Sequence, residues 1–350
     1  MNRKNIISAV LFLLLMAITF YVIFRNNDMG EILKYIGRLQ PFYLVAAILT
    51  GLFFVSAEGM MICYLLRALR SSVSLWTCLK ISFIGFFYCG ITPSATGGQP
   101  MQLYHLKKSG QKIADSTVVL MTVALIYKLV LVLIGLGILV FWYPSLKLYL
   151  KEYLYLFYLG LLLNGGLVAV LLFVMISPRC FGRIVVRGEG LLLKLRILKP
   201  DQERRQKLFE LSDRYHDAVV FFLQHKRHIA LVTLFTFLQR FTVFFLTWLI
   251  YRGMGLTGHS MMAVVMIQAT VYISVDMLPL PGSQGITELM YKTVFSAIFP
   301  GAALTASMCV TRGINFYFLL IISALISAVA ALRLHTAPLT PESCSHGMRS

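Results

Sequence analysis

Along most of the chain, apolar residues come in unbroken runs rather than at the spacing of a one-sided soluble helix. Runs at 6–24, 42–66, 114–142, 153–176, 229–251, 261–278 and 302–332 each reach the length needed to cross a hydrocarbon core of about 30 Å. The pattern predicts an all-α integral membrane protein with about seven spanning helices, because a helix satisfies its own backbone hydrogen bonds in lipid. The run at 114–142 would cover roughly 43 Å, so it must tilt or project beyond the core.

Two interruptions break this pattern in the same way. The first is Ile91-Thr92-Pro93-Ser94-Ala95-Thr96-Gly97-Gly98-Gln99-Pro100; the second is Pro279-Leu280-Pro281-Gly282-Ser283-Gln284-Gly285, followed by Ile286-Thr287-Glu288. Each joins an apolar helix to a short amphipathic piece and then to a long apolar helix carrying one cation, Lys128 or Arg312. Irregular backbone at membrane depth must be buried in protein or line a wet cavity, since an unpaired peptide group in hydrocarbon costs several kcal/mol. The two stretches are therefore expected to be broken or re-entrant helices in an internal repeat, which is where transporters place substrate. The competing reading is a pair of unrelated cytosolic loops.

Charge sharpens the picture. Glu58, Lys128, Arg240, Asp276, Glu288 and Arg312 lie within or at the ends of apolar runs, and a lone charge at the bilayer centre costs about 2.5–3.5 kcal/mol on insertion scales. They are expected to face a bundle interior as a lipid-headgroup cavity. The cations at 128, 240 and 312 would hold a phosphate, and the carboxylates at 58, 276 and 288 would hold an ammonium or balance the cations. The plainer alternative is structural ion pairs, or side chains snorkelling to the interface, which fits Lys80 and Lys292 best.

Composition agrees with the class: the 350 residues are 58% hydrophobic and 13% charged, with mean hydropathy +0.78. The formal charge of +18 is gathered mainly in short loops, as expected for cytoplasmic loops against anionic lipid; no nucleic-acid partner is expected. Residues 177–227 hold twelve Lys or Arg against six Asp or Glu, which predicts a basic cytoplasmic loop with amphipathic helices. The run at 6–24 follows Arg3 and Lys4 and precedes no small-residue cleavage site, so it reads as an anchor with its N-terminus in the cytoplasm. Residues 1–333 then form one polytopic membrane domain and 334–350 a disordered tail. The six cysteines and seven histidines show no metal-ligand spacing, and neither metal, cofactor nor catalytic motif is expected.

The segments Pro93–Pro100, Leu278–Gly285 with Glu288, and Thr311-Arg312-Gly313-Ile314-Asn315-Phe316-Tyr317 resemble the transmembrane, flippase-like region of bacterial lysylphosphatidylglycerol synthases, the multiple peptide resistance factor family, over about residues 5–333. The resemblance implies flippase- or scramblase-like translocation of an anionic or aminoacylated phospholipid such as lysyl-phosphatidylglycerol. It also implies the bacterial cytoplasmic membrane as location and resistance to cationic antimicrobial peptides as the consequence. Full-length members add a cytosolic domain that transfers lysine from lysyl-tRNA, and this sequence ends soon after its last span, so transfer by the chain alone is not expected. Two alternatives stay open. One is a phosphatidylglycerol lysyltransferase, or its membrane subunit working with a separate catalytic domain or aminoacyl-lipid synthase; the other is a small-solute secondary transporter. A homodimer is compatible with the pattern.

Overall fold

Most helices of this protein are apolar all round, as helices surrounded by lipid and by other helices must be. The computed structural model describes residues 29–92, 95–176, 217, 219–222, 224–278 and 280–336. The expected anchor at 6–24, most of the basic loop and nearly all of the tail fall outside these residues, as do Pro93, Ser94 and Pro279.

Within the described residues the chain is helical and has no strand. The helices are α1 (Met29–Gly37), α2 (Pro41–Ala68), α3 (Leu75–Ile91), α4 (Gly98–Lys108), α5 (Ile113–Phe141), α6 (Tyr143–Leu150), α7 (Leu154–Ile176), α8 (Lys226–Gly253), α9 (Met261–Val275), α10 (Ile286–Phe295), α11 (Ala302–Arg312) and α12 (Leu319–Thr336). Five described stretches are long and apolar enough to span: α2, α5, α7, α8, and α11 with α12, which a π-helical turn at Gly313–Phe318 joins into one rod. The run at 261–278, expected to form one spanning helix, is helical over Met261–Val275 and falls short of a full span in length. Its helix α9 has 15 residues and covers about 22 Å, because it is capped at Asp276 and the chain then turns into the stretch containing Pro281.

The two expected breaks organise two units of matching design. In the first, α2 leads to α3, a break, α4 and the long α5; in the second, α8 leads to α9, a break, α10 and the long α11–α12. Both broken pairs begin with a serine cap: Ser74 Oγ accepts from Thr77 N–H, and Ser260 Oγ accepts from Ala263 N–H, each at 3.3 Å. The units run in opposite directions. The N-terminal end of α2 meets the C-terminal end of α8 through Gln40 N–H donating to the Gly253 carbonyl (3.1 Å), while at the far end Tyr64 Oη lies 2.7 Å from His228 Nδ1. The pair α3–α4 enters and returns on the His228 side, where Gln111 Nε2 donates to the Ser72 carbonyl (3.2 Å). The pair α9–α10 enters and returns on the other side, where Tyr251 stacks edge-on against Phe299 and accepts from His259 N–H at 2.9 Å.

Packing crosses between the units. Helix α3 lies against α12 and α9 against α5 and α7. The two largest apolar clusters among the described residues lie around Leu106, Val118, Val119 and Val232 and around Ile267, Tyr291, Phe295 and Phe299. The tips of both broken pairs lie between them. Close approach at one crossing is permitted by Gly160 of α7, where an added Cβ would run into the backbone of Ile273 and Ser274. Gly160→Val should therefore destabilise the fold by about 1–3 kcal/mol through overpacking, read as a lower melting temperature in detergent. Gly165→Val, whose Cβ would meet nothing within 4 Å, should leave the melting temperature unchanged.

Candidate functional site

The tips are built so that their own side chains satisfy their irregular backbone. At the first, Thr92 Oγ1 donates to the Tyr88 carbonyl (2.6 Å) and accepts from Gly97 N–H (2.9 Å). Helix α4 then folds back closely on α3, because a side chain at Gly85 would occupy the place of the Gln102 amide and one at Gly98 that of Cys89 Sγ. At the second, Ser283 Oγ donates to the Val275 carbonyl and Thr287 Oγ1 to the Ser283 carbonyl, at 2.9 and 2.8 Å. Gly282 and Gly285 take φ of +58° and +80°, a region glycine enters without steric cost. Glu288, three residues into the helix, accepts from Gly285 N–H at 2.8 Å, satisfying a donor that α10 leaves open at its start.

Between the tips lies a cavity of about 450 Å³. The first tip contributes Ala95, Thr96 and Gln99 and the second Leu280, Gly282 and Ser283; α2, α5, α8, α9 and α11 supply Glu58, Lys128, Arg240, Tyr272 and Arg312. Five of the six charges singled out in the sequence, at 58, 128, 240, 276 and 312, line this one space. Glu288 stands behind its wall. Gly97, Gly98, Pro281, Gln284 and Gly285 shape the tips without lining the cavity.

The charges are not equivalent. Lys128 Nζ forms an ion pair with Asp276 Oδ2, so α5 of the first unit is tied to the break of the second. Asp276 Oδ1 also accepts from Tyr127 Oη at 3.3 Å, and Tyr127 and Tyr272 share a hydrogen bond at 2.6 Å. Arg312 Nε donates to Glu288 Oε1 at 2.8 Å, and its Nη2 donates to the Gly282 carbonyl at 3.1 Å. That arginine clamps the second tip to the helix that follows it. Glu58 is held by Gln102 Nε2 at 2.7 Å, with Ser82 Oγ at the limit of contact, 3.5 Å.

Arg240 is fully buried. Its guanidinium carbon lies 3.8 Å from the Tyr127 ring centroid and 4.6 Å from that of Phe54, and Nη1 donates to Tyr272 Oη at 3.3 Å. Its Nε and Nη2 have no hydrogen-bond partner among the described residues. Gln102, Tyr127 and Tyr272, which decide what these charges touch, were not legible as site residues. A glutamine in a short helix and tyrosines in apolar runs are ordinary features until the fold brings them together. Gln239 and Gln268, polar residues inside apolar helices that also line the cavity, were the signal that was available.

The family described as lysylphosphatidylglycerol synthase TM region matches residues 5–323. The chain belongs to that family. No curated protein matches the sequence. As a member of this family with five described apolar helices of spanning length, it is a multi-pass membrane protein, and the matched region takes in both breaks and all six charged positions.

Removing one partner of the cross-unit ion pair leaves the other charge buried alone, at a cost on the order of 3 kcal/mol. Lys128→Met should therefore lower the melting temperature of the detergent-purified protein, and the double change Lys128→Met/Asp276→Leu should recover most of the loss. Equal instability of the two variants would show that the pair contributes packing rather than charge compensation.

Proposed function

We propose that this protein moves a phospholipid between the leaflets of the bacterial cytoplasmic membrane, seating the headgroup in the cavity between the two tips. The observation that carries the reading is that re-entrant pairs from opposite faces meet at one charged cavity. A site closed by elements from both sides is what alternating exposure requires. The cavity wall also includes Leu167 and Leu171 of α7, a helix whose Leu162, Val170 and Phe173 are exposed on its outer surface. Acyl chains can stay in lipid beside α7 while the headgroup enters among Glu58, Lys128, Arg240, Asp276 and Arg312. The polar tips replace the water that the headgroup leaves, so the charged group never crosses bare hydrocarbon. On this reading the His228 end of α8, next to the basic loop, is cytoplasmic, and protection against cationic antimicrobial peptides follows from moving cationic or neutralised lipid to the outer leaflet.

The family's description favours a second reading, a membrane subunit that serves aminoacyl transfer to phosphatidylglycerol by a separate synthase. The two readings separate in reconstituted vesicles. Protein-dependent exchange of acyl-labelled phospholipid between leaflets is expected, and Ala124→Phe, which narrows the cavity without removing a charged group, should slow it at least about tenfold. Leu133→Phe, at an exposed position on α5, should not. Lysyl-lipid formed on adding lysyl-tRNA and phosphatidylglycerol, with no lipid exchange, would select the second reading.

A further inference from the structure

The ion pairs of the cavity leave two charges over. Lys128 is neutralised by Asp276, and Arg312 by Glu288. Glu58 accepts from neutral donors and has no cation within ion-pair distance among the described residues, and Arg240 donates to a neutral phenol and has no carboxylate partner there. The two attract each other through space without forming an ion pair, and charges at this depth gain most from direct partners. A site that keeps one of each sign is poised for a ligand that brings one of each.

Their placement gives the order of the ligand's groups. Arg240 donates through Nη1 to Tyr272, and its guanidinium lies over the Tyr127 and Phe54 rings. What remains is the Nε–Nη2 edge, two parallel donors without partners, which is the edge that grips a phosphate or carboxylate with two hydrogen bonds. Phe54 stacks on that arginine, and Glu58 lies four residues further along α2, on the same helix face. The carboxylate therefore stands beside the guanidinium on the same wall, with its direction set by Gln102.

The geometry points to a zwitterionic headgroup, one phosphodiester on Arg240 and one ammonium on Glu58, as in an ethanolamine phospholipid. This inference rests on the transport reading and narrows it. A headgroup with phosphate but no amine leaves Glu58 uncompensated beside a second anion. One with a phosphate and two amines brings a cation for which no unpaired carboxylate remains, since Asp276 and Glu288 are engaged.

The test uses full-length protein in vesicles carrying trace acyl-labelled phosphatidylethanolamine, phosphatidylglycerol or lysyl-phosphatidylglycerol, with leaflet exchange timed for each. Phosphatidylethanolamine should exchange at least about tenfold faster than the other two, the factor expected for one charged hydrogen bond. Glu58→Gln, of nearly the same shape, should erase that margin. Arg240→Lys, which keeps the charge but loses the two-donor edge, should slow all three lipids. Soluble glycerophosphoethanolamine offers the same two groups without acyl chains. If it raised the melting temperature while phosphatidylethanolamine neither did so nor exchanged, the site would belong to a soluble phosphoamine and the lipid assignment would fall. Equal rates for the three lipids, a faster lysyl ester, or a preference that survives Glu58→Gln would overturn the zwitterion assignment and leave transport standing. If folded protein exchanged none of the lipids and was not stabilised by glycerophosphoethanolamine, the transport reading and this assignment would both fall.

Discussion

Every peptide group placed at membrane depth must find a partner inside the protein, and the architecture follows from meeting that demand at two places where the helix is given up. Uninterrupted helices meet it trivially. The tips at 92–98 and 276–286 meet it with side chains: the Thr92 hydroxyl bridges Tyr88 and Gly97, the Ser283 hydroxyl reaches back to Val275, and the Glu288 carboxylate covers Gly285. The partners of each tip lie within its own unit. The unit can thus be used twice in opposite orientations, and the irregular backbone can face a cavity rather than be sealed in a core.

The cavity charges obey a second constraint that interlocks with the first. Glu288 serves both, since one carboxylate oxygen accepts from the Gly285 amide and the other from Arg312, while Arg312 also donates to the Gly282 carbonyl. Backbone capping and charge compensation are one network there, so the conformation of the tip and the position of the arginine are set together. Arg240 is the opposite case. Two tyrosines and a phenylalanine hold its plane, two of its nitrogens are left without partners, and its free donors gain only from something that enters.

Both interruptions were legible in the sequence because proline, glycine and hydroxyl residues inside apolar runs have few other uses, and the buried charges were legible because lipid makes them costly. The repeat was visible in the order of its parts. The extent of α9 was misjudged, because a mostly apolar run of eighteen residues looks the same whether its helix continues or is capped at Asp276. Pairing was not legible at all. Nothing in the spacing of Lys128, Asp276, Glu288 and Arg312 says that Lys128 bridges the units while Arg312 stays within one. That depends on the antiparallel packing of α5 with α9, a long-range contact without a local signature. For the same reason Gln102 could not be chosen as the partner of Glu58, forty-four positions away.

The two ion pairs also differ in what they would have to survive. Arg312, Glu288 and Gly282 belong to one unit and move together, so a rigid rotation of one unit against the other leaves their distances unchanged. Lys128 and Asp276 belong to different units, as do Tyr127 and Tyr272, and the same rotation must stretch both contacts. Arg240 bridges as well, through its stacking on Phe54 and Tyr127 of the other unit. The two units are therefore tied together by contacts that cross the cavity, while the second tip is kept intact by contacts that do not. On the transport reading proposed above, a headgroup that draws Arg240 toward its phosphate would weaken one of the crossing contacts while leaving each tip whole, and binding would in this way favour motion of one unit against the other.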